Sequence, residues 1–237
     1  MTRSDPSPAR TGPAPAAADG PVAVWDLPLR LFHWALVLLV VTLVATGLVK
    51  DDALRWHMRA GQALIALLLF RVAWGFAGSR HARFVSFVRG PAAVLRYARS
   101  LVVPPHEVHA THNPLGGWMV IAMLAALAVQ ATTGLFTNDD VLWEGPLAAR
   151  VARDVSDAMS SIHRRGWWVV VALVVAHVAA VAVYRWVFKE DLVRPMIDGV
   201  KPLPPGAADP ADAAASGTRA AVVLALCALA VIVLPRI

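Results

Sequence analysis

The stretch IHRRGWWVVVALVVAH, residues 162–177, decides the fold of this 237-residue chain. Its last twelve residues carry no charge, and an apolar run extends over residues 167–188. About 20 apolar residues in a helix cross the ~30 Å hydrocarbon core of a bilayer. The stretch therefore predicts a membrane-spanning helix that carries two histidines, His163 and His177.

The composition extends this prediction to the whole chain. Hydrophobic residues make up 58% of the sequence and charged residues 16%, whereas a soluble domain carries about a quarter charged residues. The excess of apolar residues lies in five blocks that are almost free of charge, which excludes a soluble globule and a disordered chain. These blocks are residues 31–49, 60–77, 116–136, 167–188 and 220–234.

The lengths of the blocks predict the architecture. The first four can each cross a bilayer, but the fifth, with 15 residues, can span only a thin bilayer or lie at its interface. We predict an all-α integral membrane protein, a four-transmembrane-helix bundle with a short C-terminal fifth hydrophobic helix. The predicted domains are a disordered tail (1–23), the four-helix domain (24–200), a Pro/Ala-rich linker (201–217) and a C-terminal helix (218–237).

The distribution of Lys and Arg predicts the orientation of the bundle. Of the 22 basic residues, thirteen fall on the side that carries the N-terminus and eight on the opposite side. Because cytoplasmic loops are enriched in Lys and Arg, we expect an inner-membrane protein with its N-terminus in the cytoplasm. The net charge of +6 follows this bias and forms no basic stripe with interleaved aromatic residues, so we expect lipid and no nucleic acid as a partner.

Four histidines on the core helices form the candidate site. His163 and His177 are 14 residues apart, about four helical turns less 40°, so they share one face of the fourth helix about 21 Å apart. His33 lies at the cytoplasmic end of the first helix and His57 at the outer start of the second. Chain direction therefore pairs His33 with His177 inside and His57 with His163 outside. The depth of His33 requires tilt or a first helix that begins as early as Asp26.

Two facing histidines suit one kind of metal group in particular. Zinc normally needs three or four ligands from the protein, and the single cysteine, Cys227, excludes cysteine-based zinc and iron–sulfur sites. Haem iron takes four nitrogens from the porphyrin and needs only two axial ligands from the protein. The absence of a CxxCH motif excludes covalent c-type attachment. We therefore predict two non-covalent bis-histidine haems, stacked across the membrane for electron transfer.

Other residues at the depths of these pairs agree with haem. Gly47 follows His33 by 14 residues, where the lack of a side chain would let a flat macrocycle approach. Arg71 follows His57 by 14 residues, where its cation would pair with haem propionates. Ordinary helix packing of Gly47 and snorkelling of Arg71 to the interface stay open as alternatives. Weaker propionate candidates are Arg30, Arg164 and Arg165.

Five stretches carry a family resemblance: VWDLPLRLFHW (24–34), FRVAWGFAGSRHARFVSFVRGP (70–91), HNPLGGWM (112–119), TGLF (133–136) and IHRRGWW…H (162–177). Over residues 24–202 the sequence resembles the bacterial di-haem cytochrome b561 family, which is related to the b-type cytochrome subunit of nickel–iron hydrogenases. The resemblance implies haem b, membrane electron transfer that commonly involves quinone, and four axial ligands. Those ligands would be His33, His57, His163 and His177.

We therefore predict a membrane b-type di-haem cytochrome that transfers electrons across or along the inner membrane. It would connect a quinone pool with a redox partner such as a c-type cytochrome or a hydrogenase, and whether it turns over a substrate itself stays open. One alternative is a membrane-anchor subunit for a soluble oxidoreductase such as a hydrogenase. Another is a haem-free transporter that uses histidines for protons or metal, although the first four blocks lack the carboxylates that it would normally need.

The other histidines lie in the cytoplasmic loop of residues 78–115. His106, His109 and His112 are spaced by three residues, and a solvated loop is favoured over transient metal binding. His112 opens the HNPLGG segment at the start of the third helix, where an imidazole near the inner haem can handle quinone protons. His81 is a weaker candidate for the same role.

Overall fold

Among the residues that the computed structural model describes, four helices are long and apolar enough to cross a membrane. The structure describes residues 21–49, 53–102, 109–141, 143–203 and 217–233, and the predicted all-α membrane bundle is confirmed. The helices are α1 (Leu27–Leu48), α2 (Ala53–Ala77), α3 (Phe84–Phe87), α4 (Pro91–Ser100), α5 (Pro114–Gly134), α6 (Arg153–Trp186), α7 (Val193–Asp198) and α8 (Gly217–Ile232), with two short strands, β1 (Pro21–Ala23) and β2 (Val200–Pro202). The four spanning helices are α1, α2, α5 and α6.

Helix α1 begins at Leu27, one residue after Asp26. This early start is one of the two ways in which His33 can reach the depth of His177. The Asp26 carboxylate accepts a hydrogen bond from the Leu29 amide at 2.7 Å and so caps the helix. Pro28 lies in the first turn, where its missing N–H leaves no hydrogen bond unmade. This start places His33 about two turns into the helix.

Helix α6 is longer than its apolar block. It begins at Arg153 and has 34 residues, which is about 51 Å and exceeds the ~30 Å hydrocarbon core. Its first turns are held by polar contacts, since Arg153 pairs with Asp157 at 3.3 Å and Ser160 donates to the Ser156 carbonyl at 2.9 Å. The helix therefore continues beyond the apolar residues on the predicted outer side.

The spanning helices pack as two hairpins. Helix α1 packs against α2, α5 packs against α6, and α2 and α5 join the two hairpins. Between them lies a core of four buried apolar residues, Leu64, Leu68, Leu127 and Val170. This arrangement brings the histidines of α1, α2 and α6 into the interior of one bundle.

The C-terminal helix packs on this bundle. Helix α8 lies along α2, and Ala220 is buried in a cluster that includes Phe32, Phe70 and Trp74. Strands β1 and β2 pair antiparallel, with Val22 opposite Lys201, and so order the ends of the predicted tail and linker. The rest of those two segments, residues 1–20 and 204–216, lies outside the described residues.

Candidate functional site

The structure brings His57 of α2 and His163 of α6 together, and we call them the outer pair. Their ring centroids are 6.1 Å apart, and the ring planes are nearly perpendicular, at 89°. Metal–imidazole bonds are about 2 Å long. A separation of this size therefore leaves room for one metal ion between the two rings.

The ring of His57 is held by the last turns of α1. Its Nδ1–H donates to the Leu43 carbonyl at 3.0 Å, and the Thr46 hydroxyl oxygen lies 3.2 Å from the same nitrogen. Because a carbonyl oxygen can only accept, the proton must be on Nδ1. The other ring nitrogen, Nε2, then keeps the lone pair that a metal needs.

The ring of His163 is held in the same way by α5. Its Nδ1–H donates to the Gln130 carbonyl at 2.9 Å, with the Thr133 hydroxyl 3.5 Å away. The side-chain amide of Gln130 also donates to the His163 carbonyl at 2.9 Å. Gln130 therefore fixes both the ring and the backbone of this histidine.

A glycine lies beside each ring of the outer pair. A Cβ added to Gly47 would come within 3.2 Å of the His57 ring, and one added to Gly134 within 2.9 Å of the His163 ring. In the structure the space beside Gly47 holds the His57 ring, and its role in leaving space for a macrocycle stays a prediction. The close approach of the His163 ring to α5 thus depends on Gly134, whereas a Cβ at position 47 would make the His57 ring give by a few tenths of an ångström.

Sequence reasoning missed part of this arrangement. Residues 46–48 and 133–135 both read Thr-Gly-Leu, and each triplet lies at the end of the first helix of a hairpin. We call Thr46–Gly47 and Thr133–Gly134 the two Thr-Gly seats. The repeated triplet was a signal that could have found Thr46, Thr133 and Gly134.

A cavity of about 500 Å³ adjoins the outer pair. Its size lies within the range of small-molecule and cofactor sites. Apolar side chains form much of its wall, and both seats contribute their glycines. Arg164, one of the weaker propionate candidates, also lines the cavity, whereas Arg165 is not part of its lining.

His33 of α1 and His177 of α6 form a second pair, the inner pair. The two imidazoles are close enough to interact electrostatically. The Nδ1 atom of His33 is buried and has no hydrogen-bond partner among the described residues. The inner pair therefore differs from the outer pair, in which the Nδ1 atoms of both rings are bonded.

His112 completes the inner cluster. Its ring lies between Trp25 and Phe87, with centroid distances of 4.8 and 4.7 Å. Loss of solvent lowers the pKa of the His112 imidazole to about 3, and the positive charge of Arg71 acts in the same direction. His112 is therefore neutral at pH 7, and its Nδ1 has no partner in the described part of the chain.

Arg71 is a buried cation beside this cluster. It is 2% exposed, its guanidinium lies 4.7 Å from the centre of the Phe84 ring, and its Nη1 has no hydrogen-bond partner within the described ranges. A buried guanidinium of this kind needs an anion. Arg30 is in a different position, since it donates to the Ile197 carbonyl of α7, and its buried Nε has no hydrogen-bond partner among the described residues.

A buried carboxylate that sequence reasoning did not single out supports the inner end. Asp26 is 3% exposed, and besides capping α1 it accepts from the Trp74 indole at 3.1 Å and the Ser79 hydroxyl at 2.5 Å. It also lies near Arg71, with which it interacts electrostatically. The sequence pointed to Asp26 only as the earliest start of the first helix, and its contacts to Trp74 and Ser79 join residues about fifty positions apart, which a local pattern does not reveal.

The remaining loop histidines have structural contacts. His81 donates from Nδ1 to the Val24 carbonyl at 3.2 Å, and the His109 ring lies 5.1 Å from that of Tyr97. His106 lies outside the described residues. Across the described ranges, no three His, Cys, Asp or Glu side chains come together as a metal site.

A multi-pass helical bundle with facing histidines inside it has the architecture of a membrane b-type cytochrome. The family model for prokaryotic cytochrome b561 matches residues 24–199. The chain belongs to this family, as its sequence indicated, and it is therefore a haem b-binding membrane cytochrome for electron transfer.

Similar proteins carry a consistent description. A probable Ni/Fe-hydrogenase B-type cytochrome subunit of Azotobacter chroococcum mcd 1 is 28% identical over 214 residues, which cover 75% of this chain and 87% of the relative. The subunit of the same description from Rhizobium leguminosarum bv. viciae is 26% identical over 211 residues, with the same coverage. The probable Ni/Fe-hydrogenase 1 B-type cytochrome subunit of Escherichia coli K12 is 24% identical over 196 residues, covering 65% and 80%. No solved structure matches the chain significantly.

Proposed function

We propose that the bundle holds two non-covalent haem b groups and passes electrons between a quinone pool and a redox partner in the bacterial inner membrane, with the N-terminus in the cytoplasm. His57 and His163 would be the axial ligands of the outer haem, and His33 and His177 those of the inner haem. The observation that carries the proposal is the outer pair, with rings 6.1 Å apart and both Nδ1 protons bonded to backbone carbonyls.

The hydrogen bonds of the outer pair prepare both rings for iron. Each carbonyl holds the proton on Nδ1, which leaves Nε2 unprotonated and fixes the orientation of the ring. When bound, haem supplies a one-electron iron centre, and two histidine ligands leave it no open position for oxygen. The residues therefore favour electron transfer over oxygen activation.

The inner pair is supported by its unpartnered polar atoms. Arg71 Nη1 and the Nδ1 atoms of His33 and His112 are all buried without a partner among the described residues. A propionate carboxylate is the anion that a haem would bring to Arg71, and it would form charge-assisted hydrogen bonds there. We assign Arg71 to a propionate of the inner haem, with the unpartnered Nε of Arg30 as a second donor.

The partners that we propose are a quinone at the inner end of the bundle and a hydrogenase-type enzyme. The buried Nδ1 atom of His112 lies beside the inner pair without a partner among the described residues, and it can form a hydrogen bond to a quinone or quinol oxygen, which favours a quinone at that end. Because the relatives are described as subunits of Ni/Fe-hydrogenases, a hydrogenase-type enzyme is the redox partner that we propose first. The same descriptions favour a second function, in which the chain also anchors that enzyme to the membrane.

The test is the haem content of the full-length protein, purified in detergent after expression with sufficient haem. We expect a b-type reduced-minus-oxidised spectrum and two haems per chain by the pyridine haemochrome method. His163→Ala and His177→Ala should each lose one haem. A folded chain that binds no haem would refute the proposal.

A matched control is His81→Ala, which removes a histidine whose contact is with the Val24 carbonyl. It should keep both haems. A loss of haem from this variant equal to that from His163→Ala would mean that the pairs have no special role. If His57→Ala still assembles with the partner enzyme but no longer passes electrons to quinone, anchoring and electron transfer are separate functions of the chain.

A further inference from the structure

The hydroxyl groups of the two Thr-Gly seats bond to their own helices and also lie beside the imidazoles of the outer pair. Thr46 donates its hydroxyl proton to the Thr42 carbonyl at 2.6 Å, and Thr133 donates to the Val129 carbonyl at 2.8 Å. With its proton committed, each oxygen can only accept from a neighbouring imidazole. The Nδ1–H of His57 is then shared between the Leu43 carbonyl at 3.0 Å and the Thr46 oxygen at 3.2 Å.

We infer that Thr46 and Thr133 are positioning residues of the outer pair, which set the orientation and the donor strength of its two imidazoles. The inference rests on the proposed bis-histidine haem site. An acceptor on the Nδ1–H raises the basicity of the opposite nitrogen as a metal ligand. A more basic ligand stabilises ferric iron and lowers the midpoint potential of the haem.

The inner pair provides the contrast. No acceptor lies on His33 Nδ1 within the described part of the chain, and both seats lie at the outer ends of α1 and α5. A change at a seat should therefore act on one haem and leave the other unchanged. Thr46 is the stronger of the two seats, because its oxygen is 3.2 Å from the histidine nitrogen, compared with 3.5 Å for Thr133.

The experiment is a potentiometric titration of the purified full-length protein, with haem content measured on each sample. Thr46→Val removes the hydroxyl while keeping a β-branched side chain, and Thr46→Ser restores the hydroxyl. Thr42→Val is the matched control, since Thr42 makes the equivalent bond to the Leu38 carbonyl at 2.8 Å one turn earlier.

We expect Thr46→Val to raise the midpoint potential of one of the two haems, while Thr46→Ser and Thr42→Val resemble the wild type. Loss of one haem in Thr46→Val that Thr46→Ser restores would also support the inference. A Thr46→Val protein with two haems and unchanged potentials, or with both potentials shifted equally, would overturn it. A wild-type chain without haem would instead refute the proposed function on which the inference rests.

Discussion

Replacing Gly134 by Ala adds a single methyl group to the more crowded of the two seats. The new Cβ would lie 2.9 Å from Cε1 and 3.2 Å from Nδ1 of His163, whereas ordinary contacts begin near 3.4 Å. The imidazole must therefore move by about half an ångström or more. Its hydrogen bond to the Gln130 carbonyl, now 2.9 Å long, would be disturbed by that movement.

The size of the effect follows from the cost of overpacking. An extra methyl group in a packed site costs about 1–3 kcal/mol, and a gain in helix propensity of ~1 kcal/mol offsets part of that cost in the folded apoprotein. Because the haem needs His163 in its original position, we expect its affinity to fall about 5- to 30-fold, equivalent to ~1–2 kcal/mol. Gly47→Ala, with its closest contact at 3.2 Å, should reduce the affinity less.

The assay is haem retention by the purified protein during transfer of haem to an excess of an apoprotein acceptor. Gly134→Ala should release one haem faster than the wild type, Gly47→Ala should lie between them, and the second haem should stay bound. Gly217→Ala is the control, because a Cβ there meets nothing within 4 Å. A Gly134→Ala protein that retains both haems like the wild type would refute the steric reasoning.

Two further predictions concern the inner end of the bundle. Asp26→Asn places an amide where a carboxylate now accepts hydrogen bonds from Trp74 and Ser79, so we expect a loss of roughly 1–3 kcal/mol in unfolding free energy. The measurement is the midpoint of thermal unfolding in detergent, with Asp154→Asn at an exposed position as the control. Equal midpoints for the Asp26→Asn and Asp154→Asn proteins would contradict the role assigned to Asp26. Burial lowers the pKa of His112 from 6.5 to about 3. Between these two pH values the His112 imidazole is protonated in the unfolded chain but not in the folded chain. The free energy of unfolding therefore falls as the pH drops below 6.5, by about 1.4 kcal/mol per pH unit. The midpoint should therefore fall more between pH 7 and pH 5 in the wild type than in His112→Gln, and an identical fall in both would show that His112 is not desolvated.

The sequence was sufficient to predict the bundle and the placement of its histidines, because both depend on local regularities. Apolar block length fixes which helices can span, and the 14-residue spacing of His163 and His177 fixes a shared helix face. The direction in which each helix crosses the membrane then allows only the pairing of His33 with His177 and of His57 with His163. The structure brings the two members of each pair together. The roles of these residues as ligands, and of Arg71, Gly47 and Arg30 beside them, stay predictions.

Other features depend on contacts between distant segments, which periodicity does not reveal. Hydropathy marks where a helix is in the membrane, so it did not show that α6 begins at Arg153, where ion pairs and serine hydrogen bonds continue the helix. A threonine in a helix commonly bonds its own backbone, so nothing local distinguishes Thr46 from Thr42. Only the packing of the two hairpins shows that Thr46 meets His57.

The repeated Thr-Gly-Leu triplet makes the two hairpins alike at one end of the bundle but not at the other. At the outer end the two hairpins are equivalent, since Gly47 and His57 correspond to Gly134 and His163. Fourteen residues further towards the inner end the equivalence is lost, because His33 corresponds to Val120 and Arg71 corresponds to His177. One end of the molecule is thus pseudo-symmetric and the other is not, so the two ends of the bundle differ in their chemistry whichever way the protein is inserted.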